Sequence, residues 1–214
     1  MNERTLAELR REYAFGGLSE SDLLPDPVAM FRRWLHDATA AGVHEPNAMV
    51  VSTVSAQGLP SSRMVLLKGL DEHGFVFFTN YGSRKSADLD ANPVCSLLFP
   101  WHPLERQVRV EGRATRLSDA ENAAYFATRP RASQIGAWAS PQSEVVASRA
   151  ALDERYSDAA TRFGEGDVPL PPQWGGYLVE PDVLELWQGR RGRMHDRLRY
   201  RRDGDGWVTE RLAP

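Results

Sequence analysis

Apolar positions recur with a period near 3.6 in a few stretches of the chain and with a period near two in most others. The first pattern predicts helices and the second half-buried strands. Thr5 and Glu8 have capping-box spacing for a short helix reaching about Tyr13, which Gly16-Gly17 breaks. Asp26-Pro27 reads as an N-cap with proline at the first helical position. Val28, Phe31, Trp34, Leu35 and Ala38 then form one apolar stripe, and Gly42 ends that helix. Residues 83–92 predict a short helix that Pro93 terminates. Ser118 and Glu121 form a second capping box, opening a helix to about Arg129, and residues 144–163 predict a longer one.

Strands are predicted over residues 49–54, 62–67, 75–79, 94–99 and 106–117, with turns at Gln57-Gly58 and over 71–74. In the long strand 106–117, Val108 and Val110 oppose Gln107, Arg109 and Glu111. After a Gly/Pro-rich loop at 164–172, strands are predicted again over 176–179, 183–187, 193–200 and 207–211, with a turn at 203–206 closing the last pair. The run 193–200 is expected to place Arg193, His195 and Arg197 on one face and Met194, Leu198 and Tyr200 on the other. That strand is either one wall of an anion-binding site or an edge with a solvated basic face. Short strands in hairpin order with helices inserted between them predict a mainly β, α+β chain: an antiparallel barrel with helical additions.

Composition narrows the function classes. At 214 residues the chain can form one well-cored domain, with 1–25 expected as a mobile N-terminal segment and 173–214 as closing strands. The 42% apolar content is that of a globular protein. A net charge of −3 gives no global field to recruit nucleic acid, and no aromatic stacking platform interleaves the C-terminal arginines. Cys95 is the only cysteine and lies in an apolar run, so it is expected to be a small core residue in a reducing compartment. The charged N-terminus lacks a signal-peptide core, and no apolar run approaches the roughly 20 residues of a membrane helix. A soluble, cytoplasmic protein is expected. His36, His44, His73 and His102 have no metal-ligand spacing to one another or to Cys95. No G-x-G-x-x-G follows a strand into a helix, so a dinucleotide site is not indicated.

Two groups have the chemistry of phosphate binding. Ser83-Arg84-Lys85 opens a helix, where free N–H groups and the positive dipole end favour an anion, and Arg63 and Thr79 lie in the second and third predicted strands. Arginine grips phosphate through two parallel bonds and lysine adds a point charge, although the same residues also suit an ordinary surface helix start. Tyr125 and Arg129 share a helical face, Ser133 follows Pro130, and Lys68 adds an ammonium. That set reads as a phosphate cup or as a stacked surface pair.

Several motifs, in order, resemble the pyridoxine/pyridoxamine 5′-phosphate oxidase family. They are Leu184-Glu185-Leu186-Trp187-Gln188-Gly189, Arg193-Met194-His195-Asp196-Arg197 and the closing Arg211-Leu212-Ala213-Pro214. The likeness runs through Arg63-Met64-Val65-Leu66-Leu67-Lys68, Thr79-Asn80-Tyr81-Gly82-Ser83-Arg84-Lys85, Phe99-Pro100-Trp101-His102, Leu104-Glu105-Arg106-Gln107-Val108 and Arg129-Pro130-Arg131-Ala132-Ser133-Gln134-Ile135-Gly136-Ala137-Trp138. It covers the chain from about Leu9 to the end.

The resemblance implies an FMN-binding split β-barrel, working as a homodimer with flavin at the subunit interface. It implies oxidation of pyridoxamine 5′-phosphate or pyridoxine 5′-phosphate to pyridoxal 5′-phosphate, with dioxygen as acceptor and hydrogen peroxide as product. It assigns flavin contacts to Arg63, Met64, Val65, Leu66, Leu67, Lys68, Phe78, Thr79, Arg84, Lys85, Gln107, Gln142, Ser143, Trp187 and Arg197. It assigns the substrate to Arg10, Tyr13, Lys68, Tyr125, Arg129, Ser133, Arg193 and His195, with Arg193 and His195 nearest the reacting carbon. Met194 stands where a leucine is often found, Phe78 where some members have tyrosine, and the Arg190-Arg191 pair receives no role. The rival readings are another split-barrel flavin reductase, a non-catalytic carrier of FMN or pyridoxal phosphate, and a nucleic-acid module.

Overall fold

Asp26 caps the first long helix by accepting the Val28 and Ala29 amides at 3.0 and 3.2 Å. This is helix α1 (Pro27–Ala40), in a computed structural model that describes Glu12, Tyr13 and residues 16–214. Residues 1–11, with the expected capping pair Thr5/Glu8 and the candidate Arg10, lie outside the described residues. Val28, Phe31, Trp34 and Ala38 of the α1 stripe are buried, and Leu35 is half-buried.

Four strands follow: β1 (Ala48–Val54), β2 (Pro60–Leu66), the short β3 (Gly69–Leu70) and β4 (Phe75–Asn80). Helix α2 (Arg84–Ala91) leads to β5 (Val94–Trp101) and β6 (Arg106–Arg116). Helices α3 (Asp119–Ala127), α4 (Arg131–Ala139) and α5 (Arg149–Phe163) precede β7 (Trp174–Gln188), β8 (Asp196–Asp203) and β9 (Gly206–Leu212). The strands hydrogen-bond in the order β2-β1-β5-β6-β7-β4-β3, with β8 on β7 and β9 on β8.

The chain forms two compact units. One comprises Met1–Met49, Leu97–Glu111 and Pro181–Pro214, and the other Val50–Ser96 and Gly112–Glu180. In the first, Phe31 meets Phe99 edge-on at 4.7 Å, and the Trp101 indole N–H donates to the Pro46 carbonyl at 2.8 Å. The Tyr200 hydroxyl, pushed up to about 12 by burial, donates to the Leu24 carbonyl. In the second unit, Phe126, Ile135, Ala137, Val168 and Trp174 form a core against which α5 packs Ala159, Ala160 and Phe163. Each such large side chain, taken out of water, contributes about 1.5–3 kcal/mol. Cys95 is buried, and its thiol is pushed up to about 12 by that burial, so it is an unreactive core residue.

One helix was not anticipated from the sequence, and two expectations need correction. The helix α4 begins immediately after Pro130, which ends one helix and starts the next: its carbonyl accepts the Ser133 and Gln134 amides. The long helix starts at Arg149 rather than Glu144, because the Ser148 hydroxyl caps the Ala151 amide. β7 is one continuous strand where two were expected. It pairs with β4 up to Val179 and with β8 from Val183, so Pro181 falls between partners, where the missing N–H costs no bond to either.

The run 193–200 is not the regular strand expected over its whole length. Gly192 and Arg193 both have positive φ, +64° and +60°, within a 3₁₀ turn at Arg191–Arg193. Regular pairing begins only at Asp196, so Arg193 and His195 precede the strand, and Met194 is 67% exposed rather than on the core face. From Asp196 the alternation holds: Asp196, Leu198 and Tyr200 are buried, and Arg197, Arg199 and Arg201 are not. Met194→Ser is therefore expected to change stability by no more than about 0.5 kcal/mol, as at an ordinary surface position. A core methionine would lose roughly 2–5 kcal/mol on truncation, and a thermal melt separates the two outcomes.

Among the described residues no helix is long and apolar enough to cross a membrane, and no cluster of three or more His, Cys, Asp or Glu could hold a metal.

Candidate functional site

A cleft of about 1100 Å³ opens in the second unit, bounded by β2, β4, the start of α2, helices α3 and α4, and the segment 140–143. It gathers Arg63, Met64, Val65, Leu66, Lys68, Phe78, Thr79, Arg84, Lys85, Tyr125, Arg129, Ser133, Gln142 and Ser143. All fourteen were candidates from sequence. Leu67, the remaining candidate of the β2 run, is buried and does not line it.

One end of the cleft is built on α2. Ser83 stands at the N-cap position without a side-chain capping bond, and Lys85 on the first turn is only 7% exposed. The Lys85 ammonium donates to Thr79 Oγ1 at 2.8 Å, Ser83 Oγ at 3.1 Å and Gln142 Oε1 at 2.7 Å. All three acceptors are neutral. Burial, with the nearby Arg63 charge as a lesser cause, pulls Lys85 down to about 8. The Arg63 guanidinium is largely committed to its own strands. It donates to Val51 O at 3.1 Å, Thr53 Oγ1 at 2.8 Å and Ser61 Oγ at 2.6 Å, with Asp88 at 4.0 Å. Burial lowers its pKa, against the opposing pull of Asp88. The donors here exceed their anionic partners, which fits a phosphate.

The other set is held by an aromatic ladder. Phe78 stacks on Tyr125 at 3.8 Å and on Trp174 at 5.2 Å, with ring planes within 9°. The Arg129 guanidinium lies 4.7 Å from the Trp174 ring centre, and its Nη1 is buried with no hydrogen-bond partner. A buried, unpartnered guanidinium nitrogen is costly unless a ligand completes it. Burial lowers the Arg129 pKa and raises that of Tyr125. Lys68 and Ser133 line the same cleft. Trp174, the platform for this set, was not identified from sequence; its place between Pro171-Pro172 and Gly175-Gly176 was the available signal.

The remaining described candidates lie in the first unit. Tyr13, Trp187 and His195 form a ring cluster, with centroids 5.6 Å apart for Tyr13/Trp187, 5.3 Å for Tyr13/His195 and 4.7 Å for Trp187/His195. At Gly189 a Cβ would fall 2.8 Å from the Tyr13 ring, so glycine permits that approach. Gln107 is half-buried on β6. Arg197 forks onto Glu185 at 2.7 and 3.2 Å and donates to the Ala213 carbonyl at 2.9 Å. Glu185, itself buried, also accepts from Arg109 at 2.8 Å. The His195 pKa is lowered, by burial first and then by Arg193. Among the described residues four that are not glycine have positive φ, and two of them, Ser143 at +76° and Arg193 at +60°, are site candidates. Such strain gathers where a site over-determines the backbone.

Residues 35–161 match the family described as pyridoxamine 5′-phosphate oxidase. Residues 174–214 match the pyridoxine 5′-phosphate oxidase C-terminal dimerisation region. A Nocardioides protein named pyridoxine/pyridoxamine 5′-phosphate oxidase is 63% identical over the whole of both chains. One of the same name from Rubrobacter xylanophilus is 57% identical, covering 99% of this chain and 97% of its own. Among solved structures, PhzG from Burkholderia lata, in complex with tetrahydrophenazine-1-carboxylic acid, is 32% identical. It covers 91% of this chain and 95% of its own, with a TM-score of 0.86. A pyridoxamine 5′-phosphate oxidase-related, FMN binding protein from Nostoc punctiforme is 16% identical, covers 90% of this chain and all of its own, and has a TM-score of 0.71, which speaks for the fold alone. The fold is the split barrel expected from the motifs, and the full-length identity with named relatives places the chain in the pyridoxine/pyridoxamine 5′-phosphate oxidase family of oxidoreductases.

Proposed function

We propose that this protein is an FMN-dependent oxidase that converts pyridoxamine 5′-phosphate or pyridoxine 5′-phosphate to pyridoxal 5′-phosphate, working as a homodimer. The observation that carries the reading is one cleft lined by five cations: Lys85, Arg63 and Arg84 near the start of α2, Arg129 on the Trp174 ring, and Lys68. Arg129 keeps a buried donor unpartnered. A flavin mononucleotide and a phosphorylated substrate need two cationic grips. The C-terminal dimerisation region supports the twofold assembly.

Lys85, with Thr79, Gln142 and the α2 N-terminus, would hold the FMN phosphate and chain, and Ser143 would meet the cofactor through its strained backbone. Arg63, Arg84 and the β2 residues Met64, Val65 and Leu66 line the same end, with Leu67 behind them. Gln107, Trp187 and Arg197 would complete the flavin contacts, Arg197 being fixed by its fork on Glu185. Lys68, Tyr125, Arg129 and Ser133 would hold the substrate phosphate, and Phe78 supports the Tyr125 ring. Tyr13, Arg193 and His195, with Arg10, would face the reacting end of the substrate. Bound FMN supplies two-electron acceptance and reoxidation by dioxygen. Alcohol plus dioxygen then gives aldehyde plus hydrogen peroxide, and the amine takes up water and releases ammonia as well.

The likeness to PhzG favours a second reading, a split-barrel flavoenzyme whose substrate carries no phosphate. The partnerless Arg129 weighs against it. The purified protein is expected to be yellow, to release FMN and not FAD on denaturation, and to form peroxide with pyridoxamine phosphate but far less with pyridoxamine. Mass spectrometry of the chromophore and a peroxide assay decide this. Equal rates with both amines would sink the phosphate-directed reading.

A further inference from the structure

The turn between β7 and β8 carries a chain of contacts that the oxidation above leaves unexplained. The Arg190 backbone N–H donates to His195 Nδ1 at 3.1 Å. The side chain of the same residue donates from Nη1 to Asp196 Oδ2 at 3.0 Å. Asp196 is buried and also accepts from the Leu18 amide at 2.9 Å and from Arg211 Nη1 at 2.7 Å. Arg211 in turn grips the Leu18 carbonyl at 3.1 Å and both Glu20 oxygens at 2.7 and 3.0 Å. Burial pushes the Asp196 carboxyl up, but the Leu18 amide, Arg211 and Arg190 outweigh it and hold the group below its ordinary value. The anchor is therefore an ionised carboxylate with three donors. Gly17 lies flush against it: a Cβ there would fall 2.5 Å from Arg190 Nη1 and 2.9 Å from Asp196 Oδ2.

We propose that Arg190 is a positioning residue for His195: tied to Asp196 by its side chain, it holds its own amide hydrogen on His195 Nδ1, so that the imidazole offers the substrate an Nε2–H donor instead of acting as a base. This rests on the reading that His195 faces the substrate. An amide N–H can only donate, so the Nδ1 it reaches must present a lone pair. A neutral imidazole with a bare Nδ1 carries its proton on Nε2. An imidazolium would set Nδ1–H against the amide hydrogen. The groups around the ring agree. Tyr13 and Trp187 pack on it as rings, and Arg193 adds positive charge. The neighbouring carboxylate, Asp196, is engaged by Arg190, Arg211 and Leu18. A donor at this point can hold an oxygen or nitrogen acceptor of the substrate while the reacting carbon is oxidised.

The test is nitrogen NMR of the full-length holoenzyme labelled with ¹⁵N-histidine, with His195→Gln assigning the resonance. Wild type is expected to show His195 with a bare Nδ1 and a protonated Nε2, persisting below the usual imidazole range. Arg190→Ala is expected to give a mixture of tautomers and a fall of about tenfold in kcat for pyridoxamine phosphate, with KM changed less than about twofold. Arg190→Lys, whose ammonium can still reach Asp196, is expected to restore most of both signals. Unchanged melting temperature and flavin content in these variants exclude a general loss of structure. A protonated Nδ1 in wild type, or an unaltered tautomer in Arg190→Ala, overturns the proposal. A wild type with the expected tautomer, lost in Arg190→Ala, that turns over no pyridoxamine phosphate leaves the clamp standing and removes the oxidase reading instead.

Discussion

Arg129→Ala is expected to raise the apparent KM for pyridoxamine phosphate roughly ten- to hundredfold while FMN stays bound. The guanidinium sits 4.7 Å from the Trp174 ring centre, and its Nη1 is buried with no partner. A phosphate oxygen would satisfy that nitrogen. Losing a charge-assisted bond costs about 1.5–3 kcal/mol, which is the stated range in KM if binding is lost equally in the ground and transition states. The proposed FMN grip is a different set, centred on the buried Lys85, so flavin content should not change. Arg129→Lys is expected to recover little, because an ammonium neither stacks on Trp174 nor presents a planar fork. Steady-state kinetics and the flavin absorbance of the purified variant decide the matter. Unchanged kinetics with lost flavin would mean that the two phosphate grips are assigned the wrong way round.

Parts of this arrangement were legible in the sequence because the signals were local. Asp26-Pro27 and the Ser118/Glu121 box announce α1 and α3, and both caps are made by the named side chains. The helix start at Ser83 located Arg84 and Lys85, and the i, i+4 spacing paired Tyr125 with Arg129 on one face of the cleft. Other parts depended on contacts distant in sequence or on backbone angles that alternation cannot carry. Two residues of positive φ displace Arg193 and Met194 from the strand pattern that Leu198 and Tyr200 obey. Pro130 stands at the start of α4, a helix that the sequence reading did not anticipate. Trp174, which supports Phe78, Tyr125 and Arg129, comes from β7, far along the chain from all three. Likewise, Asp196 and Arg211, near one end of the chain, both bond to Leu18 near the other, and no spacing rule reports these links.

Lys85→Met is expected to have the largest effect on the cofactor, weakening FMN about ten- to hundredfold and removing a pH dependence that wild type should show. The Lys85 pKa is about 8, down from an ordinary 10.5, because burial penalises the ammonium. Below about pH 8 both the folded and the unfolded chain hold this proton, and the folded apoprotein bears the full cost of the buried charge. Between about 8 and 10.5 the unfolded chain keeps the proton that the folded one has lost, so apoprotein stability rises with pH across that window. A bound phosphate reverses the preference. Its negative charge beside Nζ favours the ammonium, so FMN binding above about pH 8 must take up a proton. Affinity is then expected to weaken by up to about tenfold per pH unit as pH rises past 8. The phosphate itself ionises near pH 6 and contributes nothing in that range. Titrating the apoprotein with FMN by flavin fluorescence, from about pH 7 to 9, measures the slope. Riboflavin, which lacks the phosphate, should bind weakly and without that slope, as should FMN to Lys85→Met. A wild-type affinity flat across the window, or the same slope in Lys85→Met, would show that the buried ammonium does not hold the phosphate.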